Sequence, residues 1–96
     1  MPEMHARLRW PDGSTERVYS PSLVLAEHLD EGAAYSLDEF GRRARAALTE
    51  ASERVRARYG FPCGRAAASL ASVEARIARH RVGEVVGPVV VEALER

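Results

Sequence analysis

Residues 35–64, YSLDEFGRRARAALTEASERVRARYGFPCG, decide the fold. Ser36 followed three residues later by Glu39 makes a capping box, and Tyr35 with Phe40 brackets it as a hydrophobic staple. From Leu37 onward, Phe40, Ala44, Ala47 or Leu48, Ala51 and Val55 recur at three- and four-residue spacing as far as Tyr59. Arg42, Arg45, Glu53 and Arg56 fall off that stripe, as expected for an amphipathic helix with one buried face. Gly60 suits the left-handed position after a helix, Phe61 the apolar contact that follows it, and Pro62 blocks continuation. The spacing therefore predicts one long helix from Leu37 to Tyr59 or Gly60.

Working outward, a second helix is expected from Cys63 or Gly64 to about His80, with Cys63, Ala66, Leu70, Val73 and Ile77 on one stripe. Alanines on both helices allow close axial approach, so the two should pair as an αα-hairpin. Val82-Gly83 breaks the second helix, and Val89–Leu94 follows as a strand, with Pro88 at its start where a missing donor is tolerated. Upstream, Met4, Ala6, Leu8 and Trp10 alternate with His5, Arg7 and Arg9, the period of a strand with one buried face. Pro11-Asp12-Gly13-Ser14 supplies turn chemistry, and Thr15–Ser20 returns as the second arm of a hairpin. Pro21 ends that arm. Ser22–His28 fits either a helical turn or an extended run, and Asp30-Glu31-Gly32 is a loop.

These elements define one α+β domain over residues 1–96, ordered β-β-α-α-β, with a small antiparallel sheet covered by helices on one face. The run Val89-Val90-Val91 places apolar side chains on both faces of such a sheet. This predicts a homodimer or another partner surface at the third strand.

With 46% hydrophobic and 29% charged residues, the chain has the composition of a soluble globular domain, not of a disordered tail or a membrane segment. Its net charge of zero conceals segregation: residues 1–39 hold eight acids and three arginines, and residues 40–82 hold ten arginines and three acids. Every basic residue is arginine. A lone cysteine, Cys63, excludes an intramolecular disulfide framework and a multi-cysteine zinc site. The first ten residues lack an apolar core of signal-peptide type, and no run approaches the ~20 apolar residues of a membrane span, so a cytoplasmic location is expected.

Motifs for chemistry are sparse. The glycines never form a phosphate-binding loop, and His5, His28 and His80 match no metal-ligand spacing. Neither a catalytic, a cofactor-binding nor a metal site is expected. Cys63, at the start of a helix and beside Arg65, is the best nucleophile candidate, with Tyr59 as its companion in a small-molecule binder or minor enzyme. Arg42, Arg43, Arg45, Arg54, Arg56 and Arg58 could meet phosphates, but they spread around the helix, and nucleic-acid binding is the weaker reading.

Three stretches carry a resemblance: MPEMHARLRWPDGSTERVYSPSLV at residues 1–24, GAAYSLDEFGRRARAALTEASERVRARYGFPC at residues 32–63, and the alanine-rich segment that follows. The most specific pieces are Trp10-Pro11-Asp12-Gly13, Tyr19-Ser20-Pro21-Ser22 and Arg54–Phe61. Over about its first four fifths the chain resembles the small bacterial nitrogen-starvation response proteins, encoded in clusters with an aliphatic nitrilase, a radical SAM protein and a flavin-dependent oxidoreductase. The resemblance implies an accessory protein of nitrile or cyanide nitrogen scavenging that binds a cluster-encoded enzyme, and it brings no catalytic residue. Its motifs mark Tyr19, Ser20, Ser22, Arg56, Arg58, Tyr59, Phe61 and Cys63 as a candidate binding surface.

Overall fold

The structure, a computed structural model, describes residues 2–96. Strands β1 (Met4–Arg9) and β2 (Thr15–Ser20) form the expected hairpin, paired from Met4↔Ser20 to Arg9↔Thr15. Its loop closes with Trp10 N–H donating to the Ser14 carbonyl at 2.8 Å, and Gly13 takes the left-handed conformation (φ 89°) that such a loop requires. After β2 come the helical turn α1 (Leu25–His28), the two-residue strand β3 (Ala34–Tyr35), the helices α2 (Leu37–Tyr59) and α3 (Gly64–Val82), and the strand β4 (Val89–Glu95). The fold is α+β, with an antiparallel four-stranded sheet in the order β2-β1-β4-β3.

Two short elements add to the expected order, which is otherwise kept. The ambiguous segment after Pro21 folds as α1, and Ala34–Tyr35 pairs with Val90 and Val89 as a short edge strand. Ser20 and Ser22 shape the entry to α1. The Ser20 hydroxyl donates to the Ser22 carbonyl at 2.7 Å, and Ser22 Oγ accepts from the Val24 amide at 3.2 Å.

Helix α2 starts as its sequence dictates. Ser36 Oγ accepts from the Glu39 amide at 3.1 Å, which satisfies one orphan donor of the first turn. The Glu39 carboxylate turns instead to Arg42 (2.5 Å) and Arg43 (2.7 Å), which hold it below the usual carboxylate range. Phe40, Ala44, Ala47, Leu48 and Ala51 are the buried face of α2, and Ala66, Val73, Ile77 and His80 that of α3. Gly60 ends α2 at φ 89° with its amide on the Arg56 carbonyl, but Phe61 does not fold back on the helix and is 65% exposed. The left-handed residue after α3 is Glu84 (φ 55°), while Gly83 stays right-handed.

The core lies between the helices and one sheet face, filled by Met4, Leu8, Trp10, Leu25, Phe40 and Leu48 with Val89 and Val91. The valine run therefore has no surplus: Val89 and Val91 are both buried in this layer, and only Val90 faces outward, half-buried. Register shifts between Leu8↔Val91 and Arg7↔Ala93, so Glu92 is an extra residue in β4. The bulge restores Leu94 to the inner face opposite Ala6 and puts both Glu92 and Glu95 outside. There Glu92 meets Arg9 (2.8 Å) and Glu95 meets Arg17 (2.9 Å), a lattice of opposite charges across the open face.

Deleting Ala93 would remove the extra residue and leave Leu94 inward under plain alternation. The deletion is expected to change stability by no more than about 1 kcal/mol, a Tm shift within about 8 °C, although it falls inside a central strand. Thermal unfolding of the deletion variant checks this, and a large loss would show that the bulge itself is required.

Candidate functional site

Two regions collect the side chains with chemical potential, one at each end of α3. The first is the tip of the helical hairpin. A 23-residue helix is about 34 Å long and a six-residue strand about 20 Å, so α2 is longer than the sheet strands it packs on. The molecule is accordingly 41 Å in its longest dimension and only 18 Å in its shortest. Around the turn between the helices, residues 54–65 hold four arginines and no acid, of which Arg54 pairs with Glu50 and Arg65 lies beside Glu3 and Tyr19. Tyr59 is 52% exposed and Phe61 65% exposed, large apolar groups that bury nothing of their own core. The Arg58 guanidinium lies over the Tyr59 ring at 5.7 Å, and Arg56 reaches Glu53 only at 3.8 Å.

Beside the tip, Tyr19 of β2 takes the Arg65 guanidinium on its ring at 3.7 Å and packs edge-on against His5. Burial pushes the Tyr19 hydroxyl up, and the Glu3 carboxylate adds to the shift. Cys63, a free thiol at the N-cap of α3, is half-buried. The structure thus puts Arg65, two residues beyond Cys63, on Tyr19, while Arg56, Arg58, Tyr59 and Phe61 stand on the tip. Ser20 and Ser22 are 0% and 4% exposed, and their hydroxyls are committed to the backbone turn.

The second region lies where the β1–β2 loop meets the end of α3. Trp10 stacks on His80 (centroids 5.4 Å, planes 29° apart) and meets Phe40 edge-on at 5.6 Å. Its indole N–H donates to Glu16 at 3.1 Å, Glu16 also accepts from Ser72, and Arg76 donates to the Ser14 hydroxyl at 2.6 Å. Ser14 in turn gives both its hydroxyl (2.6 Å) and its amide (3.0 Å) to Asp12 Oδ1. His80 is only 3% exposed. Its Nδ1 lies 2.8 Å from the Arg76 carbonyl, and its Nε2 has no hydrogen-bond partner, with Asp12 Oδ1 at 3.5 Å.

The hydroxyl of this cluster sits on the carboxylate and not on the imidazole, so it is not wired as a nucleophile with a base. In the sequence His80 stands out only as a histidine without metal-ligand spacing. The signal was present: the stripe Ala66, Leu70, Val73, Ile77 continues at its own spacing to position 80. Among the described residues no group of three or more His, Cys, Asp or Glu is placed to hold a metal ion.

The Ser14 hydroxyl and amide, with a smaller contribution from His80, lower the Asp12 carboxyl to about 2. A depressed carboxylate stabilises the fold above its ordinary value of 3.8, and that stabilisation is lost as pH falls through about 2. Carboxyl-carbon NMR should give Asp12 a midpoint near 2, and Ser14→Ala should return it toward 3.8.

In class, this is a small two-layer α+β protein with a charged open sheet face and a projecting helical hairpin. The sequence model of a family described as nitrogen starvation-induced protein NitG matches residues 5–94, and the chain belongs to that family. No curated protein and no solved structure matches it.

Proposed function

We propose that this member of a nitrogen starvation-induced family is a non-catalytic accessory subunit that docks its hairpin tip on an enzyme encoded beside it. The candidates are the aliphatic nitrilase, the radical SAM protein and the flavin-dependent oxidoreductase of the resemblance described above. One observation carries the reading: Tyr59 and Phe61 are exposed on a projecting segment that has four arginines and no acid. Large aromatics next to arginine are the composition of binding hot spots, and their complement is an apolar socket with an acidic rim. The reading takes the protein as cytoplasmic and homodimeric. No helix of the described residues is long and apolar enough to cross a membrane, and β2 offers a sheet edge for self-pairing.

Binding of the purified chain to each of the three purified enzymes, measured by calorimetry, tests the proposal. One enzyme should bind, and the double variant Tyr59→Ala/Phe61→Ala should weaken binding by about 30-fold or more, as loss of a hot spot does. Its Tm should stay close to that of the parent, because exposed side chains contribute within about 0.5 kcal/mol. Failure of all three enzymes to bind, or a double variant that binds like the parent, overturns it.

A further inference from the structure

Among the described residues four large apolar side chains face solvent, and they fall in two places. Tyr59 and Phe61 are on the tip. Val82 and Val86, 87% and 88% exposed, stand at the other end of α3, where the chain turns toward β4. That turn has a fixed shape: Glu84 is left-handed at φ 55°, Gly87 lies at φ 128°, and the Val85 amide is held on the His80 carbonyl at 2.9 Å. Between the turn and the start of α2 lies a cleft of about 510 Å³ with apolar walls from Leu37, Val85 and Val86. Its rim carries Asp38, Arg81 and Glu84. Arg81 is paired with Asp38, which leaves Glu84 as the carboxylate with no ion-pair partner among the described residues.

The tip has the reverse character. Arg58 has no ion-pair partner among the described residues and lies over the Tyr59 ring, and Arg56 reaches Glu53 only at 3.8 Å. Exposed aromatics with spare positive charge complement an apolar hollow with spare negative charge. Position makes the match reciprocal. Helix α2 begins in the wall of the cleft, at Leu37 and Asp38, and ends on the tip, at Arg58 and Tyr59. Two copies laid antiparallel about the middle of α2 bring Tyr59 of each level with Leu37 of the other, and Arg58 level with Asp38. Such a contact is made twice and closes at two copies.

We infer that this cleft receives the Tyr59–Phe61 tip of a second copy of the chain, so that two copies cover each other's tips and clefts. Roughly half of each aromatic is free to be buried, out of about 150–250 Å² for such a side chain. With the cleft walls counted, the two contacts together bury about 600–1,000 Å², below the ~1,200 Å² of stable interfaces, so the pairing is weak and reversible. Its consequence, a tip that stays covered until an enzyme displaces the second copy, rests on the docking proposal; the self-pairing does not.

Sedimentation equilibrium of the full chain by itself, at concentrations from about 10 μM to about 1 mM, tests this; a monomer–dimer equilibrium with Kd of about 1 mM or tighter is expected. Two variants separate the halves of the contact. Tyr59→Ala/Phe61→Ala removes the tip, and Val86→Arg breaks the apolar wall and sets a like charge before Arg58. All three side chains are exposed, so Tm should stay close to that of the parent. Each variant should self-associate about 30-fold more weakly or worse. Mixed in equal amounts, the two should associate more strongly than either alone, because an intact tip still meets an intact cleft. The inference is overturned if the chain stays monomeric throughout, if either variant associates like the parent, as a dimer joined along β2 would, or if the mixture is no stronger than its components. No enzyme takes part in these readouts, so failure of the docking proposal leaves the self-pairing readable by itself.

Discussion

Trp10→Ala is expected to lower stability by about 3–5 kcal/mol, the range for deleting a buried large aromatic. Total stabilities of about 5–15 kcal/mol make this a loss of about a fifth or more, and Tm should fall by at least about 12 °C. Three causes add. The ring is 1% exposed, so its removal opens a cavity between β1 and α3. Its edge-to-face contact with Phe40 and its stacking on His80 disappear together. Glu16, which accepts from the indole at 3.1 Å with its side chain only 16% exposed, loses a donor. Trp10→Phe keeps much of the apolar volume but not the N–H, so urea unfolding of the two variants separates packing from the Glu16 hydrogen bond. A Trp10→Ala chain as stable as the parent would show that α3 is held by other contacts.

The second large effect concerns a small residue. Ala47→Leu should cost about 1–3 kcal/mol through overpacking. Ala47 is 0% exposed on the face of α2 that also presents Ala44 and Ala51, and these short side chains set how closely α2 approaches its neighbours. Elsewhere on α2 a β-carbon on Gly41 would stand 3.2 Å from Ile77 Cδ1 of α3, so the helix layer has little slack. Leucine forms helix nearly as well as alanine, so the loss would report packing alone. The neighbouring Ala46→Leu, on the exposed side of the same turn, should stay within about 0.5 kcal/mol. Equal effects at 46 and 47 would contradict the assigned helix face.

Local rules made much of this fold readable. The alternation to Trp10, the loop Pro11–Ser14, the Ser36 cap, the Gly60 stop and both helical stripes are each decided within a few residues. What escaped depends on partners distant in the chain. Two residues are too few to show a period, so β3 emerges only from its pairing with Val89 and Val90. The bulge at Glu92 follows from matching β4 to β1, which neither strand states alone. The exposure of Tyr59 and Phe61 was not legible, because Tyr59 closes the apolar stripe of α2 and Phe61 stands where a residue commonly folds back on the helix, yet both face solvent. Nor was the role of Ser20 and Ser22, since a hydroxyl in a turn can serve a ligand or the backbone, and only burial decides. His80 was hidden by its chemistry: a polar residue in an apolar stripe looks like the end of the stripe.

The two borders of the sheet differ in kind. On one side Gly32 and Ala33 exchange hydrogen bonds with Val91, and Glu31 accepts from the Leu94 amide at 2.8 Å, so β4 is closed along its length by the segment leading into β3. On the other side β2 runs free, with no backbone of another described element along it. The outer side of β3 is an edge of only two residues, whereas β2 offers six, so β2 is the border long enough to pair with another strand. Two copies joined β2 to β2 about a two-fold axis would make one continuous eight-stranded sheet whose remaining borders are the two-residue β3 strands, which offer little backbone for further growth.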